Sequence, residues 1–247
     1  MSKVFAALSL IIISLAIYTP IHAETNEDAV NNPARSDADR ERDKTSKPTV
    51  ILEFFGVKPG MKVLDLFAGG GYYSEILAYA VGPDGHVISH TNKAYESSTG
   101  EEATLRFKDN RLPNISRLTS EIDNLGLEND SLDMVVMVLT YHDIYFTADY
   151  WPQVDRDNFF KQIRDSLKPG GVLAIIDHAA NSMTASSAAQ DLHRIEEGFA
   201  KQDIESAGFT FEGQSEVLRN PDDKRTLSVF DDNIRRRTDR FVYRFVK

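Results

Sequence analysis

VLDLFAGGGYYSEILA, Val63 to Ala78, begins as an apolar run, ends that run in an acid, crosses three glycines and becomes helical. A strand followed by a tight turn and a helix fits this pattern, with Gly69, Gly70 and Gly71 free of a Cβ where the chain turns and a ligand approaches. Asp65 stands before the glycines, where a carboxylate can meet a cationic or hydroxyl-bearing ligand. A dinucleotide turn requires G-x-G-x-x-G/A, yet Ser74 stands three positions after Gly71, and no acid ends the next strand-like segment. A pyrophosphate would also be repelled by Asp65.

Outward from this stretch, strand-like and helical patterns alternate. HVISHT, NISRLT, LDMVVMVLTY and GVLAIID read as further strands, and LDMVVMVLTY is apolar enough to lie centrally in a parallel sheet. SSTGEEATLRFKD reads as a helix capped by Ser98 or Thr99, RDNFFKQIRDSL as an amphipathic helix, and AAQDLHRIEEGFAKQDIESA as one long helix. FTFEGQSEVL and DRFVYRFVK, linked by a polar loop, read as two closing strands. The expectation is a doubly wound, mostly parallel seven-stranded α/β sheet with an antiparallel C-terminal edge. Ligands in such sheets sit beyond the carboxyl ends of the strands, at the switch point beside the first strand.

Lys3 followed by the apolar stretch Val4 to Tyr18 and the small residue Ala23 reads as a signal peptide, 1–23. Its apolar core is short for a bilayer span, which needs roughly 20 residues. A soluble periplasmic or secreted protein without a stable membrane span is expected after cleavage. The absence of cysteine excludes a lipoprotein anchor. Losing Lys3 leaves 27 bases against 38 acids, a net charge of −11 that argues against nucleic acid as a partner. Residues 24–47 carry 12 charges among 24 positions and read as a polar tail or a helix lying on the domain, which occupies 48–247. The oligomeric state is not legible.

The ordered motifs resemble the class I S-adenosylmethionine-dependent methyltransferases, a Rossmann-like family. VLDLFAGGGYYSEILA is similar to the family's first motif, LKPGG (Leu167 to Gly171) to its lead into strand five, and IESAGF to its lead into the last two strands. The leader, TYHD, DHAA, HRIEEG and VLRNPDD look like those of an exported bacterial subgroup. The resemblance implies S-adenosylmethionine as cofactor and a small-molecule methyl acceptor. Asp65 would face the amino-acid end of the cofactor, above Gly69, Gly70 and Gly71. Glu121 or Asp123 would accept the adenine amino group, and Thr140 and Tyr141 would line the pocket. Two departures stand out: Phe67 replaces the first glycine of G-x-G-x-G, and His90-Thr91-Asn92 replaces the ribose-binding acid. Thr91 or Asn92 is left to bond a hydroxyl. These departures keep open a second reading, a binding domain that retains the fold with a different ligand or none.

His142-Asp143 follows the fourth strand and Asp177-His178 the fifth, so neighbouring strands bring both pairs to one cleft; His193 lies beyond. His142 is the candidate base or positioner for the acceptor, oriented by Asp143 or Asp177. Two imidazoles and two carboxylates also suit zinc, but no local metal-binding spacing is present, so no metal is assigned. Within DIYFTADYW, a pocket role is expected for Tyr141 and Tyr145, and packing for Phe146.

Overall fold

The computed structural model describes residues 25–247, so the signal peptide expected at 1–23 lies outside the described residues. Seven strands form one sheet: β1 (Lys62–Leu66), β2 (His86–Thr91), β3 (Ile115–Thr119), β4 (Leu132–Val138), β5 (Leu167–His178), β6 (Thr210–Ser215) and β7 (Arg240–Val246). Their order is β3-β2-β1-β4-β5-β7-β6, with β1 to β5 parallel and β7 antiparallel to both β5 and β6. This is the doubly wound sheet with an antiparallel edge that the sequence pattern predicts.

Alternation along the central strands sorts the core into two layers. Leu64, Leu66, Val135, Met137, Leu173 and Ile175 face α6 (Arg156–Ser166) and α8 (Glu197–Ser206), meeting Phe159, Phe160, Ile163, Ala200 and Ile204. Val63, Val87, Met134, Val136, Ala174 and Ile176 face α3 (Pro48–Phe55) and α4 (Tyr72–Val81), meeting Ile51, Leu52, Phe55, Ile76 and Leu77. Both faces are covered, which is why these strands read as unbroken apolar runs.

Residues 25–47 fold against the domain as α1 (Asn26–Val30) and α2 (Asp37–Ser46). Ala29 and Val30 enter the core, but polar contacts hold most of the segment. Arg35 pairs with Asp43 (2.7 Å), and the Tyr72 hydroxyl donates to Asp43 (2.6 Å). Arg106 ends α5 (Lys93–Arg106) and ties three elements together. Its guanidinium reaches Asp39 (2.6 Å) on α2 and the fully buried Glu75 (2.5 Å) on α4, and its Nε donates to the Gly70 carbonyl (2.6 Å).

Two helix boundaries differ from the sequence reading. α5 begins at Lys93, because the Asn92 side chain accepts from the Tyr95 amide (3.0 Å) and caps it there, five or more residues before Ser98 and Thr99. The long helix is broken into α7 (Ala188–Leu192) and α8, with His193 in the left-handed region (φ 51°). The break arises because Ile195 pairs with the end of β5, its amide donating to the His178 carbonyl (2.9 Å), while Arg194 is fully buried on Asp223 (2.9 Å).

Removing one partner of a buried ion pair leaves the other charge uncompensated. Arg106→Met is therefore expected to lower unfolding free energy by about 2–4 kcal/mol in urea titrations, with Arg111 still offsetting part of the Glu75 charge. A midpoint unchanged from wild type would show that the Arg106 contacts do not hold α2 and α4 to the glycine turn.

Candidate functional site

The carboxyl ends of β1, β2, β4 and β5 carry the candidate residues. Asp65 is buried (2% exposed), and its Oδ2 accepts from the Ser74 hydroxyl (2.7 Å), whose oxygen lies 2.9 Å from Ser89 Oγ. Ser74, the residue that breaks the dinucleotide pattern, is thus the partner of the strand-end acid. Asp65 forms no ion pair among the described residues. Burial outweighs the serine hydrogen bond and raises its pKa to about 6. A buried carboxylate lacking a cation is chemically suited to a ligand ammonium.

Gly69 and Gly71 take positive φ (56° and 81°), and Gly70 allows close approach: a Cβ there would lie 2.2 Å from the Glu102 carboxyl carbon. Phe67 also has positive φ (56°), so the position where the family pattern has glycine keeps the glycine-like conformation despite its side chain. Left-handed backbone costs an L-residue about 1–2 kcal/mol. The buried Phe67 ring offsets this by packing on Tyr95 (5.5 Å, near parallel), Trp151 (5.5 Å), His90 (5.1 Å) and Phe159 (6.5 Å). These aromatic side chains, from the segments following β1, β2 and β4, fill the crest of the switch point. Tyr95 and Trp151 carry no motif in the sequence, and only the fold brings them to Phe67.

At the end of β2, Asn92 is engaged as the α5 cap, and the Thr91 hydroxyl donates to the Asn92 carbonyl (3.3 Å). His90 is buried between Phe67 and Ser120, and burial lowers its pKa to about 4, so it is neutral. Glu121 and Asp123 are exposed beyond β3; Glu121 accepts weakly from the Lys93 amide (3.4 Å). The Thr140 hydroxyl is buried beyond β4 without a hydrogen-bond partner among the described residues.

Tyr141 turns away from this crest. Its hydroxyl and that of Tyr145 converge on Asp203 of α8 (2.5 and 2.6 Å), where Arg156 also binds. Phe146 instead packs on His193 (4.8 Å). Phe146 thus packs as expected, whereas the one-turn helix at Tyr141–Ile144 carries Tyr141, expected in the pocket, toward α8.

The two His–Asp pairs meet as the topology requires. Asp177 accepts from His142 Nδ1 (2.9 Å), from the His142 amide (2.7 Å) and from the His178 amide (2.7 Å). His142 Nε2 faces Asp143 Oδ1 (3.3 Å). Asp143 Oδ2 accepts from the Tyr95 hydroxyl (2.5 Å), and the Trp151 indole donates to the Asp143 carbonyl (2.7 Å). Burial pulls the His142 pKa down, but the charges of Asp177 and Asp143 outweigh it and raise the pKa to about 9. His142 consequently holds a proton at neutral pH, a state that donates and positions rather than accepts. His178 Nδ1 bonds Thr238 (2.7 Å), and burial, reinforced by His142, lowers its pKa far enough to keep it neutral.

A family model described as "Methyltransferase domain" matches residues 57–220. The chain belongs to that family. Its fold is that of the class I α/β methyltransferases, whose cofactor is S-adenosylmethionine. Over 124 residues, half of this chain and 29% of the relative, it is 30% identical to an arsenite methyltransferase of Halobacterium salinarum. It is 25% identical over 181 residues to the ubiquinone/menaquinone biosynthesis C-methyltransferase UbiE of Shewanella sediminis, covering 71% of this chain and 66% of that one. The chain thus spans under a third of the first relative's length and about two thirds of the second's. Among solved structures, a SAM-dependent methyltransferase of Aquifex aeolicus superposes with a TM-score of 0.58 at 20% identity, covering 86% of this chain and 99% of that one. Aeropyrum pernix fibrillarin with bound S-adenosyl-L-methionine superposes at 0.52 and 12% identity, covering 80% and 73%. Such distant likenesses establish the fold.

The residues fit the cofactor in part. Asp65 and the glycine turn suit its amino-acid end, while Phe67, Tyr95 and Trp151 fill the crest and the end of β2 offers no charged ribose partner.

The raised Asp65 pKa sets a pH dependence. Its folded-state value, about 6, lies above the ordinary carboxylate value, so burial costs nothing at pH below both and most above both. In ligand-free protein, Asp65→Asn should match wild-type stability near pH 4. It should exceed it by on the order of 1–3 kcal/mol above pH 6.5. Denaturant unfolding of both proteins at several pH values measures this difference, and a variant less stable at pH 7 contradicts the assignment.

Proposed function

We propose that the protein is an exported S-adenosylmethionine-dependent methyltransferase acting on a small-molecule acceptor at the carboxyl edge of the sheet. The carrying observation is Asp65, a buried, unpaired carboxylate beside a positive-φ glycine turn. Asp65 holds the cofactor's ammonium, and Gly69 to Gly71 let the backbone approach its methionine portion. Thr140 offers an otherwise unbonded hydroxyl. Glu121 and Asp123 stand beyond β3 toward the adenine end. The cofactor supplies an electrophilic methyl group; this chain's residues bind it, exclude water and align the acceptor. His142, its Nδ1 fixed by Asp177, positions the acceptor.

Calorimetric titration of residues 24–247 with S-adenosylmethionine and S-adenosylhomocysteine tests the reading. Binding should be measurable in wild type and weaker by about 10–100-fold in Asp65→Asn, the loss expected for a charge-assisted hydrogen bond. Equal affinity in both proteins would remove Asp65 from the cofactor site.

A second reading, a domain that retains the fold but takes a different ligand, is favoured by the Phe67–Tyr95–Trp151 packing and the neutral end of β2. Failure of wild type and of the crest-opening variant Tyr95→Ala to bind either cofactor form would favour it.

Export places the folded domain in the periplasm or outside the cell. Protein recovered from its native host should begin at Glu24 on N-terminal sequencing. A chain retaining Met1 in the membrane fraction would refute cleavage and release.

A further inference from the structure

His142, Asp143 and His193 converge although no sequence spacing marks them as a set. One ligand atom from each lies within 4.8 Å of the others, with His142 Nε2 at 3.3 Å and His193 Nδ1 at 3.8 Å from Asp143 Oδ1. Donors bound to one ion at about 2.0–2.1 Å lie roughly 3 Å apart, so a small inward movement of His193 completes the arrangement. Two imidazoles and a carboxylate form the donor set of catalytic zinc and non-haem iron sites, which keep further coordination positions open.

The surrounding contacts orient this set. Asp177 accepts from His142 Nδ1, leaving Nε2 directed at Asp143. Such an outer carboxylate on a ligating histidine fixes its ring and tautomer. Tyr95 holds the second oxygen of Asp143, leaving Oδ1 toward the histidines. The His142 and His193 rings stand nearly perpendicular (88°) with centroids 5.4 Å apart. Phe146 and Phe230 pack on His193 at 4.8 and 4.9 Å, forming an apolar wall. The third ligand is also a strained residue: His193 occupies the left-handed region at the break between α7 and α8. An Asp177–His142–Asp143 ion triad alone accounts for His142 but not for the His193 ring, whose Nδ1 faces the same Asp143 oxygen.

We propose that His142, Asp143 and His193 bind one divalent transition ion of the zinc class, with Asp177 and Tyr95 as outer supports. The side chain of His193 is 21% exposed, so the site is reached from solvent past Phe230. The open positions suit an oxygen, nitrogen or sulfur atom of a small ligand. Metal binding itself does not depend on the methyltransferase reading.

Untagged residues 24–247, stripped by chelator and dialysed, are titrated with Zn²⁺ and with Co²⁺, followed by bound-metal analysis, thermal melting and visible absorption. The proposal predicts one ion per chain, a metal-dependent rise in melting temperature, and ligand-field bands with Co²⁺. Partly exposed His193 permits a test with little packing loss: His193→Gln should melt near wild type without metal yet bind Zn²⁺ at least tenfold more weakly. Asp177→Asn should weaken binding by about 10–100-fold, as loss of an outer carboxylate does. Substoichiometric metal with unchanged melting in wild type would overturn the site. So would His193→Gln binding Zn²⁺ as tightly as wild type, even if cofactor binding succeeds.

Discussion

Three hydrogen bonds into one carboxylate organise the working end of the molecule. Asp177 is fully buried, and no solvent competes for its oxygens. Its partners are the His142 ring, the His142 amide and the His178 amide, so it fixes both backbone and side chain on the neighbouring strand's exit. Parallel pairing of β4 and β5, with Val138 opposite Ile176, supplies the register that makes this possible. Ligand-oriented chemistry at the crest then depends on a contact that is itself inaccessible to ligand.

The glycine turn is governed by a different balance. Phe67 adopts a conformation suited to glycine and compensates by burying its ring among aromatic side chains. Asp65, two residues earlier, keeps a carboxylate out of water with the Ser74 hydroxyl as its side-chain partner. One residue stabilises the closed crest while the other favours an incoming cation. Tyr95 belongs to both arrangements, stacking on Phe67 and donating to Asp143. Tyr95, near the start of α5, therefore links the glycine-turn side of the crest to the histidine side.

Much of the architecture was legible because parallel strands buried on both faces leave long apolar runs, as in LDMVVMVLTY. The meeting of His142 with Asp177 was equally legible, since adjacent strands in a doubly wound sheet end side by side. Helix limits were less so. Ser98 and Thr99 are good caps in isolation, but Asn92 stands nearer the strand and captures the Tyr95 amide first. The break at His193 depends on a tertiary pairing between Ile195 and the end of β5, which helical periodicity does not report. Its position after β4 predicts a pocket role for Tyr141, whereas one turn of helix sends its hydroxyl to Asp203. The polar segment 25–47 docks chiefly through ion pairs and hydrogen bonds, a mode of attachment that hydropathy does not register.

The position of β7 between β5 and β6 makes the sheet depend on the last residues of the sequence. The edge of β5 cannot be satisfied by β6, although β6 is the next strand made; both must wait for residues 240–246. Until then a central apolar strand presents an open edge, the kind of surface that pairs with other chains. Arrival of β7 also ties distant parts of the sequence together, because Arg240 donates to the Thr45 carbonyl (2.6 Å) and Arg244 to the Phe55 carbonyl (3.1 Å). Two carbonyls of the early helices thus find their donors only on the last strand. A chain that lacks residues 240–246 therefore leaves β5 open along one edge, with its backbone groups there unpaired.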